Sequence, residues 1–173
     1  MNLKKYIRDI PDFPKKGILF HDVTTLFKNK EALNYLAQKF YDYYKDKKVD
    51  YIAGIEARGF IVGGILAQML NCGFILVRKP GKLPANTISE SYKLEYGEDS
   101  LEIHSDSVNK GDRVVVIDDL IATGGTFLAA IKLFEKLGAE VVSCATVIDM
   151  PDLGGSACLK DYDFYSLVEY LGD

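Results

Sequence analysis

Two neighbouring acids followed by a stretch rich in glycine and threonine form the clearest chemical pattern in the sequence. Asp118 and Asp119 follow the apolar run 114–117, and the stretch comes shortly after them. It consists of Ala122, Thr123, Gly124, Gly125 and Thr126. Beyond it, apolar residues at 127, 128, 131, 134 and 137 have the spacing of a helix with one buried face. The pattern predicts a strand, a turn and a helix, with the turn at the helix N-terminus.

This turn has the chemistry of a phosphate site. The N–H groups and the positive dipole end of a helix N-terminus attract anions. Gly124 and Gly125 let the backbone approach a ligand, and Thr123 and Thr126 add hydroxyl donors. The alternative is an ordinary turn whose acids and threonines only cap the helix.

Asp118 and Asp119 would repel a bare pyrophosphate, but they suit a diol that donates hydrogen bonds, or a group that brings a metal. A phosphate on the turn and a diol on the acids together describe a ribose 5-phosphate. The stretch is neither a Walker loop, because no GK[ST] follows the glycines, nor a dinucleotide fingerprint, because G-x-G-x-x-G is absent.

Segment 114–126, which reads VVVIDDLIATGGT, resembles the signature of the type I phosphoribosyltransferases. The resemblance implies that the protein binds phosphoribosyl pyrophosphate. In that case Asp118 and Asp119 take the ribose hydroxyls, and residues 122–126 take the 5-phosphate.

Hydrophobic periodicity indicates the elements that position these groups. It predicts strands at 51–55, 73–77, 113–117, 141–147 and 163–170, and helices at 30–44, 61–70 and 127–137. Strand, helix and strand in so few residues favour parallel βαβ units. One or two helical turns are expected within 3–10, a loop at 11–17, and a hairpin whose turn lies at 97–99.

We therefore expect one α/β domain, with a parallel sheet flanked by helices. An N-terminal hood spans 1–30, the core spans 31–82 and 104–173, and a hairpin lid spans 83–103. This hairpin is expected to lie outside the sheet, to add little to the core, and to move as a lid.

Basic residues follow two of the predicted strands. In an open parallel sheet, ligands bind beyond the carboxyl ends of the strands. Arg58 and Arg78 can each direct two donors at a phosphate, and Lys79 adds a point charge. They are candidates for a pyrophosphate site, and the alternative is that they are solvated loop residues.

Three further motifs resemble adenine phosphoribosyltransferases. Segment 56–60, EARGF, resembles their pyrophosphate loop, segments 78–84 and 92–97 their lid, and segment 13–23 their hood. The resemblance gives roles to individual residues: Arg58, Arg78, Lys79 and Lys82 to pyrophosphate, Glu95 to catalysis at the purine N7/N9 edge, Phe20 to stacking on adenine, and backbone groups around Leu19 and His21 to the base edge.

His21 departs from the family pattern, which usually has Arg at this position. If the side chain contacts the base or the lid, base choice or affinity changes. If only the backbone is used, the change is mild. The alternative is an exposed loop histidine.

The resemblance implies a pentosyltransferase of purine salvage that converts adenine and phosphoribosyl pyrophosphate to AMP and diphosphate. It implies Mg²⁺ carried by the substrate, with no direct protein ligand, and a homodimer for which helix 60–70 is a candidate contact. The other hypotheses are a transferase for another base, such as hypoxanthine or xanthine, and a non-catalytic regulator that binds DNA.

Composition narrows these alternatives. The 173 residues carry a net charge of −4 and no long basic segment, which argues against a nucleic-acid partner. No apolar run is long enough to span a membrane, and the N-terminus does not resemble a signal peptide. With three widely spaced cysteines in addition, we expect a cytoplasmic protein.

Overall fold

A five-stranded parallel sheet forms the centre of the computed structural model, which describes residues 1–94 and 97–172. The order of its strands is β4-β3-β7-β8-β9. The strands are β1 Arg8–Pro11, β2 Leu19–Asp22, β3 Tyr51–Ile55, β4 Gly73–Val77, β5 Thr87–Leu94, β6 Gly97–His104, β7 Arg113–Ile121, β8 Glu140–Asp149 and β9 Asp163–Glu169. The helices are α1 Thr24–Lys28, α2 Lys30–Tyr44, α3 Gly59–Leu70, α4 Gly125–Lys136 and α5 Gly155–Cys158.

The sheet is covered on both faces, which confirms the predicted α/β architecture. Side chains alternate between faces along a strand. Val114 and Val116 of β7 pack in the cluster that contains Phe127 and Phe134 of α4. Val115 and Ile117 pack in the opposite cluster, with residues of α2 and α3. Burial on both faces is the reason that β7 begins as an unbroken apolar run.

Strand β7 extends further than its apolar run predicts. It continues through the acid pair to Ile121, because β8 supplies a parallel partner along this length. Asp118 is aligned with Thr146 and Leu120 with Ile148. The two carboxylates therefore lie in the last part of a strand, and the turn begins after them.

The N-terminal segment differs from the expected helix. A single 3-10 turn spans Leu3–Tyr6, and β1 then pairs antiparallel with β2. Ile10 is aligned with Phe20, so the strand exists because of a partner distant in sequence. Periodicity over eight residues carries no information about such a partner.

The hairpin of β5 and β6 forms a separate two-stranded sheet, as expected, but two predictions about it were wrong. Residues 97–99, predicted as the turn, belong to β6, and Asp99 is aligned with Tyr92. The base of the hairpin also belongs to the core, because Leu101 and Ile103 are fully buried. Within the described residues, no helix is long and apolar enough to cross a membrane.

Candidate functional site

A cavity of about 290 Å³ opens at the carboxyl end of β7. Its lining residues are Arg58, Lys79, Tyr92, Asp99, Asp118, Asp119, Leu120, Ala122, Thr123, Gly124, Gly125 and Thr126. The fold thus brings together the acid pair, the whole 122–126 loop and two of the predicted basic residues. A larger cavity of about 650 Å³ lies between the N-terminus and β9, and none of the predicted site residues lines it.

The 122–126 loop leads directly into α4. Gly124 is the N-cap residue, with φ of +84°, a left-handed conformation that favours glycine. A Cβ atom at this position would lie 3.0 Å from the carbonyl oxygen of Gly155. The amide of Gly155 also donates to the carbonyl of Ala122, at 2.8 Å. The 154–155 turn therefore supports the loop, and the first two residues of α4, Gly125 and Thr126, line the cavity.

Asp118 and Asp119 are both buried at the end of β7. The amide of Asp119 donates to Oδ1 of Asp118, at 2.8 Å. Burial and the adjacent charge of Asp119 raise the pKa of Asp118 well above its usual range. Such a pair is poised to accept hydrogen bonds from hydroxyl groups or to lie beside a cation.

Arg58 connects the acid pair to the hood. Its Nε donates to a carboxylate oxygen of Asp119, and its guanidinium carbon lies 5.7 Å from the centre of the Phe20 ring. Burial lowers the pKa of Arg58, but the charges of Asp119, Asp118 and Asp22 outweigh it and give a net rise. The guanidinium is therefore fixed as a cation between the two parts of the site.

Lys79 follows β4 and reaches across to the hairpin. Its Nζ donates to a carboxylate oxygen of Asp99 and to the hydroxyl of Tyr92, the latter at 2.6 Å. Burial lowers the pKa of Lys79, but these two groups outweigh it and raise the pKa overall. The hydrogen bond from Lys79 in turn lowers the pKa of Asp99.

Arg78 and Lys82 do not line this cavity. Arg78 donates to Glu56 Oε2 at 3.3 Å and to the carbonyl of Lys82 at 3.2 Å. Its backbone pairs with Glu102 of β6 through two hydrogen bonds. Arg78 thus joins the edge of the sheet to the hairpin, and Lys82 is exposed beside it. Their assignment to pyrophosphate stays a prediction.

Strand β2 carries the three predicted base-site residues, Leu19, Phe20 and His21. Phe20 is half-buried and makes an edge-to-face contact with Phe13, with 5.2 Å between ring centres. His21 is only 2% exposed. Its ring stacks on Tyr170 at 3.6 Å, and its Nδ1 lies 2.7 Å from Asp9 Oδ1. The alternative of an exposed loop histidine is therefore wrong.

Comparisons with known proteins agree with this geometry. The family model described as a phosphoribosyl transferase domain matches residues 22–169. The adenine phosphoribosyltransferase of Halothermothrix orenii is 57% identical over 98% of this chain and 99% of its own length. The chain belongs to the adenine phosphoribosyltransferase family.

Solved structures of this family have the same fold. The adenine phosphoribosyltransferase of Thermoanaerobacter pseudethanolicus is 50% identical, with a TM-score of 0.94 over 97% of this chain and 98% of that one. The enzyme of Trypanosoma brucei, solved with AMP, pyrophosphate and ribose-5-phosphate, is 31% identical, with a TM-score of 0.90 over 99% of this chain and 80% of that one.

Glu95 and Asp99 both belong to the segment 83–103, which was predicted to be a lid. Glu95, the predicted catalytic residue, lies outside the described residues, so its role stays a prediction. Asp99 lines the cavity but was predicted only as a turn residue. The observed register, in which Asp99 lies opposite Tyr92, brings Asp99 within reach of the site. The alternation of residues in the hairpin contained the signal for this register.

Proposed function

We propose that this chain transfers the phosphoribosyl group of phosphoribosyl pyrophosphate to adenine and releases AMP and diphosphate. The observation that carries the proposal is one cavity lined by the acid pair, the 122–126 loop, Arg58 and Lys79. Membership of the adenine phosphoribosyltransferase family supports adenine as the base.

The substrate fits the cavity group by group. The 5-phosphate accepts hydrogen bonds from the amides and hydroxyls of 122–126, at the N-terminus of α4. The ribose hydroxyls donate to Asp118 and Asp119, which have lone pairs but no proton to give when ionised. Arg58 and Lys79 hold the pyrophosphate by charge-assisted hydrogen bonds.

The reaction breaks the bond between the anomeric carbon and the pyrophosphate oxygen and forms a bond to adenine N9. Positive charge develops on the sugar while negative charge develops on the departing pyrophosphate. Arg58 and Lys79 stabilise the leaving group, and the nearby acids face the cationic sugar. The hairpin keeps water from the sugar, and Glu95 moves the proton at the purine.

Charge balance in the cavity supports Mg²⁺ as the companion of the substrate. The lining contains the carboxylates of Asp99, Asp118 and Asp119 but only two cationic groups, those of Arg58 and Lys79. A cation that accompanies the polyanionic substrate would offset its charge beside these acids. Asp118 and Asp119 would lie beside a Mg²⁺ ion that the substrate carries and would not ligate it directly. When bound, Mg²⁺ neutralises the leaving group.

The base assignment depends on Phe20. The test measures product formation from radiolabelled adenine, hypoxanthine, guanine and xanthine with phosphoribosyl pyrophosphate and Mg²⁺. We expect adenine to give the highest kcat/KM, and Phe20→Ala to raise the KM for adenine about tenfold or more through loss of stacking. Leu171→Ala, which shortens an exposed apolar side chain that does not line the cavity, is the matched control. Faster turnover of a 6-oxopurine would overturn the assignment to adenine.

Assembly and location belong to the same proposal. We infer a homodimer in the cytoplasm. One face of α3 offers an apolar contact for a second copy, because Ile61 is 43% exposed and Gly64 and Ile65 are half-buried beside it.

A further inference from the structure

The hairpin holds the ammonium group that the proposed reaction needs for pyrophosphate. Lys79 Nζ contacts the Asp99 carboxylate and lies 2.6 Å from the Tyr92 hydroxyl. The Tyr92 hydroxyl also donates to Asp99 Oδ2, at 3.2 Å. All three residues line the cavity of the acid pair. The side chain of Lys79 thus crosses from the end of β4 to both strands of the hairpin.

This contact lies away from the fixed base of the hairpin. At the base, Arg78 and Glu102 exchange backbone hydrogen bonds of 3.0 and 2.7 Å, and Leu101 is fully buried. Asp99 is one-third exposed and only two residues from the start of β6. The Lys79–Asp99 pair is therefore a contact that can open while the base stays in place.

Asp99 and pyrophosphate require the same partner. An ammonium group donates three hydrogen bonds and accepts none. A carboxylate and a pyrophosphate oxygen placed together on that group repel each other. We propose that Asp99 competes with pyrophosphate for Lys79. Lys79 pairs with Asp99 while pyrophosphate is absent and transfers to pyrophosphate when it binds, which frees the Asp99 carboxylate.

The proposal deepens the proposed function and rests on it, since it takes Lys79 as a pyrophosphate ligand. It makes Asp99 a positioning residue, which acts through Lys79 and not on the reacting atoms. The opposite role is that Asp99 holds Lys79 in place for pyrophosphate. The two roles predict opposite effects of removing the carboxylate.

The test titrates inorganic pyrophosphate with Mg²⁺ into the full chain by calorimetry. Asp99→Asn removes the competitor, and we expect pyrophosphate to bind about three- to fivefold more tightly, as for a partly exposed ion pair. Glu98→Gln is the matched control, because it removes the same charge from an exposed neighbouring residue. Asp99→Asn should also lower the KM for phosphoribosyl pyrophosphate more than Glu98→Gln does.

A double-mutant cycle with Lys79→Met separates this proposal from its premise. If Lys79 binds pyrophosphate, Lys79→Met weakens binding, and the gain from Asp99→Asn disappears in the double variant. If Lys79→Met changes nothing, the assignment of Lys79 is wrong and the proposal falls with it. A third outcome is that Lys79→Met weakens binding while Asp99→Asn either weakens it too or has the same effect as Glu98→Gln. Either result would overturn the competition between Asp99 and pyrophosphate and would leave Lys79 as a pyrophosphate ligand. Melting temperatures check folding, and Asp99→Ala is the second variant if Asp99→Asn is destabilised.

Discussion

Asp118 and Asp119 form a buried pair of acids whose charges repel each other. The pKa of Asp118 is raised because burial and the charge of Asp119 disfavour its ionised form. Exchange of both for asparagine removes this repulsion and the negative charge, and it replaces one acceptor oxygen of each side chain by an NH₂ donor that cannot accept from the ribose hydroxyls. We expect Asp118→Asn with Asp119→Asn to lower kcat/KM for phosphoribosyl pyrophosphate by about a hundredfold or more, with no loss of melting temperature.

The measurement is steady-state kinetics together with thermal unfolding. Asp106→Asn, at an exposed position, is the control for a change of charge. An unchanged kcat/KM in the double variant would contradict the role of the acid pair in holding the diol.

Asp22 of β2 pairs with Arg8 of β1. Burial raises the pKa of Asp22, but hydrogen bonds from Arg8 and Thr24 outweigh burial and lower the pKa to about 2 from 3.8. A lowered pKa adds stability above pH 3.8, and this stability is lost as the pH falls through 2. Because Arg8 is more than half exposed, we expect Asp22→Asn to cost about 1 kcal/mol at pH 7.

Urea unfolding at a series of pH values checks this expectation. The difference between Asp22→Asn and the unaltered chain should shrink as the pH falls from 4 towards 2. Asp46→Asn, which changes an exposed acid, should show no such trend. A difference that is the same at every pH would show that the cost is not electrostatic.

The contacts of His21 could not be predicted from the sequence. The departure of this residue from the family's usual Arg was visible in the sequence, but its contacts were not. The ring packs against Tyr170, near the end of the chain, and pairs with Asp9. These contacts orient the side chain toward Tyr170. We therefore expect the backbone of β2, and not the His21 side chain, to contact the edge of the base.

At the scale of elements, the hairpin is a core element at its base. Leu101 is fully buried and packs in the cluster that contains Phe127 and Phe134 of α4. Leu101→Ala removes this packing and leaves a cavity, so we expect a loss of about 2–5 kcal/mol in unfolding free energy. Chemical denaturation measures it, with Ser91→Ala as the control at an exposed hairpin position. A loss well under 1 kcal/mol would mean that the hairpin contributes no core.

Elements bounded by local signals could be predicted from the sequence. The structure confirms strands Tyr51–Ile55 and Gly73–Val77 and helix Lys30–Tyr44 at their predicted bounds. In strand Tyr51–Ile55 and in helix Lys30–Tyr44, the buried residues are apolar. Asn29, for example, caps α2 by accepting from the amides of Glu31 and Ala32.

Features that depend on distant partners could not be predicted. Strand β1 exists because it pairs with β2, and the end of β7 stays extended because β8 lies beside it. The Lys79–Asp99 and Arg58–Asp119 pairs join residues that only the fold brings together. The motif located the acid pair and the loop, but the partners of the basic residues required the structure.

At the scale of the whole molecule, the exposed apolar face of α3 around Ile61 is the candidate surface for self-association. If the exposed face of α3 forms the subunit contact, Ile61→Lys places a charge in an apolar interface, and we expect the dimer to dissociate. Light scattering coupled to size-exclusion chromatography measures the mass. Leu153→Lys is the control, because Leu153 is equally exposed, at 43%, but lies elsewhere. An unchanged dimer in Ile61→Lys would place the contact on another surface.

The central proposal is that one cavity at the end of β7 holds a phosphoribosyl group between the acid pair and the start of α4. A crystal structure of the protein with AMP tests it most directly. We predict density for the 5′-phosphate on residues 122–126, the ribose hydroxyls within hydrogen-bonding distance of Asp118 and Asp119, and the adenine ring against Phe20. Well-defined AMP bound at another surface, with this cavity empty, would contradict the claim.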